Sequence, residues 1–142
     1  MKILDSDFSS KILKTVHTKL GNIFFLKYIA VVEIHDGIHF DINNASIIIN
    51  ELENYFKNSK PYGVIANRIN SYSVNLINTT LFKKKATNLC AYGVIGHDAA
   101  SKMNAKLEND FCKPTKVDFD NIYEAINSIS NRVKISKSLT LN

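Results

Sequence analysis

Two short apolar runs decide the fold: Tyr62-Gly63-Val64-Ile65-Ala66-Asn67 and Leu89-Cys90-Ala91-Tyr92-Gly93-Val94-Ile95-Gly96. Neither alternates apolar with polar residues. Continuous apolar runs of this length are expected of strands buried on both faces, as in the middle of a parallel sheet. Parallel neighbours need a long crossover between them, usually a helix. Ser71 or Ser73 can cap such a helix, with Val74, Ile77, Leu81 and Phe82 on its inner side.

The pattern extends in both directions from these runs. On the N-terminal side, Ile42, Ala45, Ile48, Ile49, Leu52, Tyr55 and Phe56 recur at helical spacing. Asp41 is positioned to cap that helix, which should end near Lys57-Asn58-Ser59. Before it, Ile12 to Leu20 suits a first strand and Gly21-Asn22 a turn. Ile23 to Ile34 suits one long or two short strands returning against the first, and Gly37 ends the run. On the C-terminal side, His97 or Asp98 opens a third helix with Ala99, Ala100, Met103, Leu107 and Phe111 on one face. Thr115 to Asp118 is a short strand. Asp120 then caps a last helix through Ile122, Ala125, Ile126, Ile129 and Val133. Pro61 and Pro114 punctuate the chain before strands. The expected fold is α/β, with a mixed sheet: an N-terminal strand hairpin, repeated helix–strand units with right-handed parallel crossovers, and a C-terminal helix. One domain spans 1–142, with its core over about 10–133 and a polar, frayed tail over 134–142.

Composition agrees. The chain has 142 residues, 45% hydrophobic and 22% charged, enough for one real core and too little for a second full domain. No apolar run reaches the length of a membrane span. Met1 to Asp7 lacks the apolar stretch of a signal peptide, so a cytoplasmic location is expected. The net charge of +5 is unevenly spread: residues 1–60 carry seven Lys and seven acids, whereas 61–142 carry the excess. Lys83-Lys84-Lys85 is the one basic run and is read as a helix end, where cations favour the dipole. With only Arg68 and Arg132 as arginines, the footprint of a nucleic-acid binder is absent. Cys90 and Cys112 form no metal pattern and are expected to be reduced.

The ordered set of motifs resembles the STAS domain and SpoIIAA-like superfamily, which includes anti-sigma-factor antagonists, and is most similar to a bacterial SpoIIAA-like branch. The residues that carry the resemblance run from Ile29 to Val133. They are Val31-Val32-Glu33-Ile34 followed by Gly37 and Asp41, then Tyr62–Asn67 leading into a serine-containing loop. Ala91-Tyr92-Gly93-Val94-Ile95-Gly96 and Phe111-Cys112-Lys113-Pro114-Thr115-Lys116-Val117-Asp118 complete the set. Phosphorylated antagonists carry Asp-Ser-Ser/Thr-Gly at the start of the second helix. This chain has Arg68-Ile69-Asn70-Ser71-Tyr72-Ser73-Val74-Asn75 there, keeping serines but not the Asp or Gly. The resemblance therefore implies the fold more strongly than the phosphoswitch.

Loops after the C-terminal ends of parallel strands form the functional edge of open α/β sheets. Two such loops hold Arg68, Asn70, Ser71, Tyr72, Ser73 and His97. Arg68 would contact an anion and Tyr72 would supply apolar area. Ser71 and Ser73 would hydrogen-bond or accept phosphate. Each also has a purely structural reading: Ser73 as a cap, and Arg68 paired with Asp98 or bonded to loop carbonyls. A hydrolase using Ser71 or Ser73 with His97 lacks the G-x-S-x-G elbow. His35-Asp36-Gly37-Ile38-His39 with Asp41 has ligand-type residues, but zinc needs roughly three or four converging ligands. A polar turn is expected there, with no metal. Phosphate loops of the G-x-x-x-x-G-K-[ST] and G-x-G-x-x-G types are absent, and no cofactor is expected. Gly93 is read as allowing close helix packing. Of Phe24 and Phe25, alternation sends one to the core and leaves the other for a surface patch. Such a patch, or the hairpin edge, would suit a homodimer.

The reading that follows is a non-enzymatic STAS/SpoIIAA-like binding or regulatory module. It would meet a protein partner or small anionic ligand at the Arg68–Ser73 loop. A small-molecule or lipid-binding role is the alternative, since some SpoIIAA-like proteins are grouped by fold with lipid carriers. It requires an apolar cavity.

Overall fold

The computed structural model describes residues 1–57, 61–75, 85–96 and 118–140. Two short 3-10 turns, Ile3–Asp5 and Asp7–Lys11, precede β1 (Lys14–His17), β2 (Gly21–Phe25), β3 (Ile29–Ile34) and β4 (His39–Asp41). Helix α1 (Ile42–Phe56) follows, then β5 (Tyr62–Asn67), β6 (Ser73–Asn75), β7 (Leu89–Ile95), β8 (Asp118–Phe119) and helix α2 (Ile122–Thr140). Six strands form one sheet in the order β1-β2-β3-β5-β7-β8. The β1/β2 and β2/β3 pairs are antiparallel; β3/β5, β5/β7 and β7/β8 are parallel. The chain is thus α/β with a mixed sheet, and β5 and β7 coincide with the two apolar runs. The segments 76–84 and 97–117, where two further helices were expected, lie outside the described residues.

All six residues of β3 and all six of β5 are buried. On one face, Ile48, Leu52 and Phe56 of α1 pack on Ile23, Phe25, Val32 and Val64. On the other, Ile126, Ile129 and Val133 of α2, with Ile3 of the N-terminal segment, pack on Phe24, Val31 and Ile65. Phe24 and Phe25 do point to opposite faces, yet both are buried, so neither forms the expected surface patch. Two glycines let α2 approach. A β-carbon at Gly63 would lie 2.5 Å from Ile129 Cγ2, and one at Gly93 would lie 3.0 Å from the Phe119 ring.

Local chemistry sets the boundaries. Asp41 Oδ1 accepts from the N–H groups of Asn43 and Asn44, and Asn44 Oδ1 accepts from Asp41 N–H, a reciprocal cap for α1. The first turn sits at Thr18–Leu20 rather than Gly21-Asn22. There the Thr18 hydroxyl donates to the Gly21 carbonyl and accepts from Leu20 and Gly21 N–H. Gly21 is instead the first residue of β2, where a β-carbon would run into the Glu33 carbonyl of β3.

Three further expectations are corrected. Ser71 and Ser73 do not cap a helix: Ser73–Asn75 is a strand paired in parallel with β4, and Ser73 N–H donates to the Ile38 carbonyl. The side-chain cap of α2 is Asn121, whose Oδ1 accepts from Glu124 N–H at 2.9 Å, because Asn121 and not Asp120 directly precedes the first helical residue. The stretch from Lys134 is helical to Thr140 rather than frayed. The Lys137 ammonium lies 5.1 Å from the centre of the Tyr28 ring, tying the last turns to the sheet. No helix among the described residues is long and apolar enough to cross a membrane.

One buried carboxylate joins the N-terminal segment to the sheet. Glu33 Oε2 accepts from Ile3 N–H and from Asn67 Nδ2, each at 2.8 Å, and Asn67 Nδ2 also donates to the Met1 carbonyl. Glu33 is 5% exposed and Asn67 2%, so neither group has water to fall back on. Glu33→Ala is expected to cost ~2 kcal/mol of stability in urea denaturation, because it strips two buried donors of their acceptor. Gly63→Ala is expected to cost about 1–3 kcal/mol in the same assay through overpacking against Ile129 and Val133.

Candidate functional site

The loop after β5 leaves the C-terminal edge of the sheet and is clamped to the turn after β3. Arg68 N–H donates to the Ile95 carbonyl of β7. Asn70 Nδ2 donates to the Ile34 carbonyl at 3.0 Å, and Ser71 N–H donates to Asp36 Oδ1 at 3.0 Å. Gly37 N–H donates back to the Ser71 carbonyl, with Gly37 at φ +78°, a conformation that favours glycine. The His35–His39 stretch is therefore a scaffold for the loop. No group of three or more His, Cys, Asp or Glu side chains suited to a metal converges among the described residues.

This clamp turns Arg68 and Tyr72 inward. Arg68 Nη2 donates to the Tyr72 carbonyl at 2.8 Å, and the guanidinium carbon lies 4.2 Å from the centre of the Tyr72 ring. Tyr72 is 8% exposed, so its apolar area faces the interior rather than a partner's surface. Both side chains line a cavity of about 50 Å³ between α1 and the sheet. Val64, Ala66 and Val94 form its sheet wall, and Ile48 and Leu52 its helix wall. Arg68 Nε is buried there and has no hydrogen-bond partner among the described residues. A cavity of this size is about a third of one that holds benzene, so it suits a group of a few carbon atoms.

The remaining expected residues lie elsewhere on the loop. Asn70 is committed to a backbone carbonyl, while Ser71 and Ser73 are exposed. Ser73 Oγ lies 2.6 Å from Nδ1 of His39, its neighbour across the β4–β6 ladder. The imidazole beside Ser73 is thus His39, a strand residue of β4 rather than part of the expected polar turn. Its cue was weak, since a partner 34 residues away leaves no local spacing signal. His97 and Asp98 lie outside the described residues.

The opposite end of β5 holds a second buried polar group. The Tyr62 ring stacks on Phe56 at 4.7 Å, and its hydroxyl sits near Glu53 without meeting hydrogen-bond geometry. Glu53 Oε1 accepts from Thr87 Oγ1 and Asn88 Nδ2. Burial first, and then the Glu53 carboxylate, push the Tyr62 hydroxyl far above its ordinary value. Burial likewise pushes the Cys90 thiol up, against smaller opposing effects of Ser136 and Lys137, which makes it a protonated packing group. A hydroxyl that ionises only in the unfolded chain contributes stability that is intact below the unfolded value, near 10.0, and lost as pH rises above it. Tyr62→Phe is therefore expected to flatten the alkaline fall of stability. A denaturation series from neutral to strongly alkaline pH checks this, and an unchanged slope refutes it.

No protein-family model, no curated protein and no solved structure matches this chain.

Proposed function

We propose that the protein is a non-enzymatic binding module of the STAS/SpoIIAA-like kind, cytoplasmic, that takes a small anionic ligand. The ligand's apolar part occupies the cavity between α1 and the sheet, and its charge meets Arg68. One observation carries the proposal: a guanidinium in the wall of an otherwise apolar cavity, with a buried Nε that has no hydrogen-bond partner among the described residues. Leaving a cation partly desolvated without a counter-charge is unfavourable. A carboxylate matches the guanidinium fork and relieves that cost. The location supports it too, since the loop follows the C-terminal end of a central parallel strand.

The second reading, a regulatory module for a protein partner with Ser71 or Ser73 as phosphoacceptor, is favoured by the exposure of both serines. It uses the outer side of the same loop.

The test uses propionate, whose two-carbon tail and carboxylate fit the size and charge, with neutral propionamide as control. Methyl resonances of Ile48, Val64 and Val94 are expected to shift saturably with propionate alone. Arg68→Met is expected to weaken binding about tenfold or more. Equal binding of acid and amide, or an unaffected Arg68→Met variant, rejects the reading.

A further inference from the structure

A larger recess lies on the opposite face of the sheet, between the N-terminal segment, the β2–β3 turn and α2. Its volume is about 580 Å³, within the range of roughly 300–1,000 Å³ typical of small-molecule sites. Leu26 and Ile126, 6% and 4% exposed, lie in its lining. Phe8, Tyr28 and Leu13 line it as well, and Leu13 is 65% exposed, leaving apolar surface at the recess open to a ligand.

The charges in the lining are of one sign. Lys11, Lys27 and Lys134 come from three separate elements, and among the described residues no Asp or Glu lines the recess. Two of these ammonium groups rest on ring faces, Lys11 5.7 Å from the centre of Phe8 and Lys27 5.4 Å from that of Tyr28. Like charges gathered at one recess raise the potential inside it and attract an anion. Asn127, Ser130 and Asn131 add amide and hydroxyl groups along the α2 wall.

We infer that this recess binds one small amphipathic anion, with its apolar body over Leu13, Leu26 and Phe8 and its head group among Lys11, Lys27 and Lys134. The volume fixes a single small molecule, the lining fixes an apolar body, and the lysines fix the sign of the head. The site is separate from the Arg68 cavity and stands or falls independently of it.

The test is an amide-resonance titration with monomeric dodecanoate and dodecyl phosphate, against dodecyltrimethylammonium and dodecyl maltoside. Both anions are expected to shift Leu26–Ile29 and Ile126–Lys134, and the cationic and neutral chains to bind at least about tenfold more weakly. Lys27→Ala with Lys134→Ala is expected to weaken dodecanoate about tenfold, since each exposed charge contributes modestly. Arg68→Met should leave these shifts unchanged. Absence of binding at millimolar anion, equal binding of the cationic chain, or shifts confined to the Arg68 loop overturns the inference. So does capture by phosphatidylglycerol vesicles without binding of the monomeric anions, which would make the lysines a membrane-facing patch.

Discussion

The structure depends on one constraint: its two central parallel strands, β3 and β5, have no face turned to water. A doubly covered sheet must be apolar on both sides, so the sequence of these strands runs without alternation. It must also receive a helix close against each face. On the α2 side the needed proximity comes from missing side chains, Gly63 beneath Ile129 and Val133 and Gly93 beneath Ile129 and Phe119. The polar residues that remain within this core have to satisfy one another. Glu33 and Asn67 do so at the ends of adjacent strands, and use the N-terminal backbone to complete the set.

The same constraint separates the two recesses. Each is a place where a covering layer departs from close packing on the sheet, and the sheet stands between them. On the α1 side the departure is small and nearly all apolar, with Arg68 as its charged element. On the α2 side it is wide and rimmed with lysine. The loop carrying Arg68 is held by backbone and side-chain bonds to the turn after β3, so the guanidinium is placed by the scaffold and not by a flexible excursion. Preorganisation of this kind lowers the entropic cost of capturing an anion.

The elements most legible in the sequence were those with long or sharply bounded signals. The buried strands were read from continuous apolar runs, and the α1 cap from Asp41 directly ahead of a helical period. Ser73–Asn75 was misread because three residues cannot distinguish a period of 2 from one of 3.6, and its strand partner lies 34 residues back. The end of α2 was misread because residues after Val133 no longer follow the apolar rhythm; Ile135 and Leu139 are both exposed. Arg68, Asn70, Ser71, Tyr72 and Ser73 were legible as a loop at the functional edge. Which of them face inward was not, since that is set by bonds from Ile34, Asp36 and Ile38. Neither recess leaves a mark in the sequence: a cavity is a property of packing, and Lys11, Lys27 and Lys134 are brought together only by the fold.

The tie between Glu33, Asn67 and the first residues has a consequence for the order in which the chain can assemble. Ile3 and Met1 leave the ribosome before their partners, which follow 30 and 66 positions later. The N-terminal segment therefore waits, unpaired, until β3 and β5 have been synthesised and aligned. Contacts of such long sequence separation form late and slow the search. This segment is thus made before the strands it docks on, and its docking buries the Glu33 carboxylate and closes one face of the core.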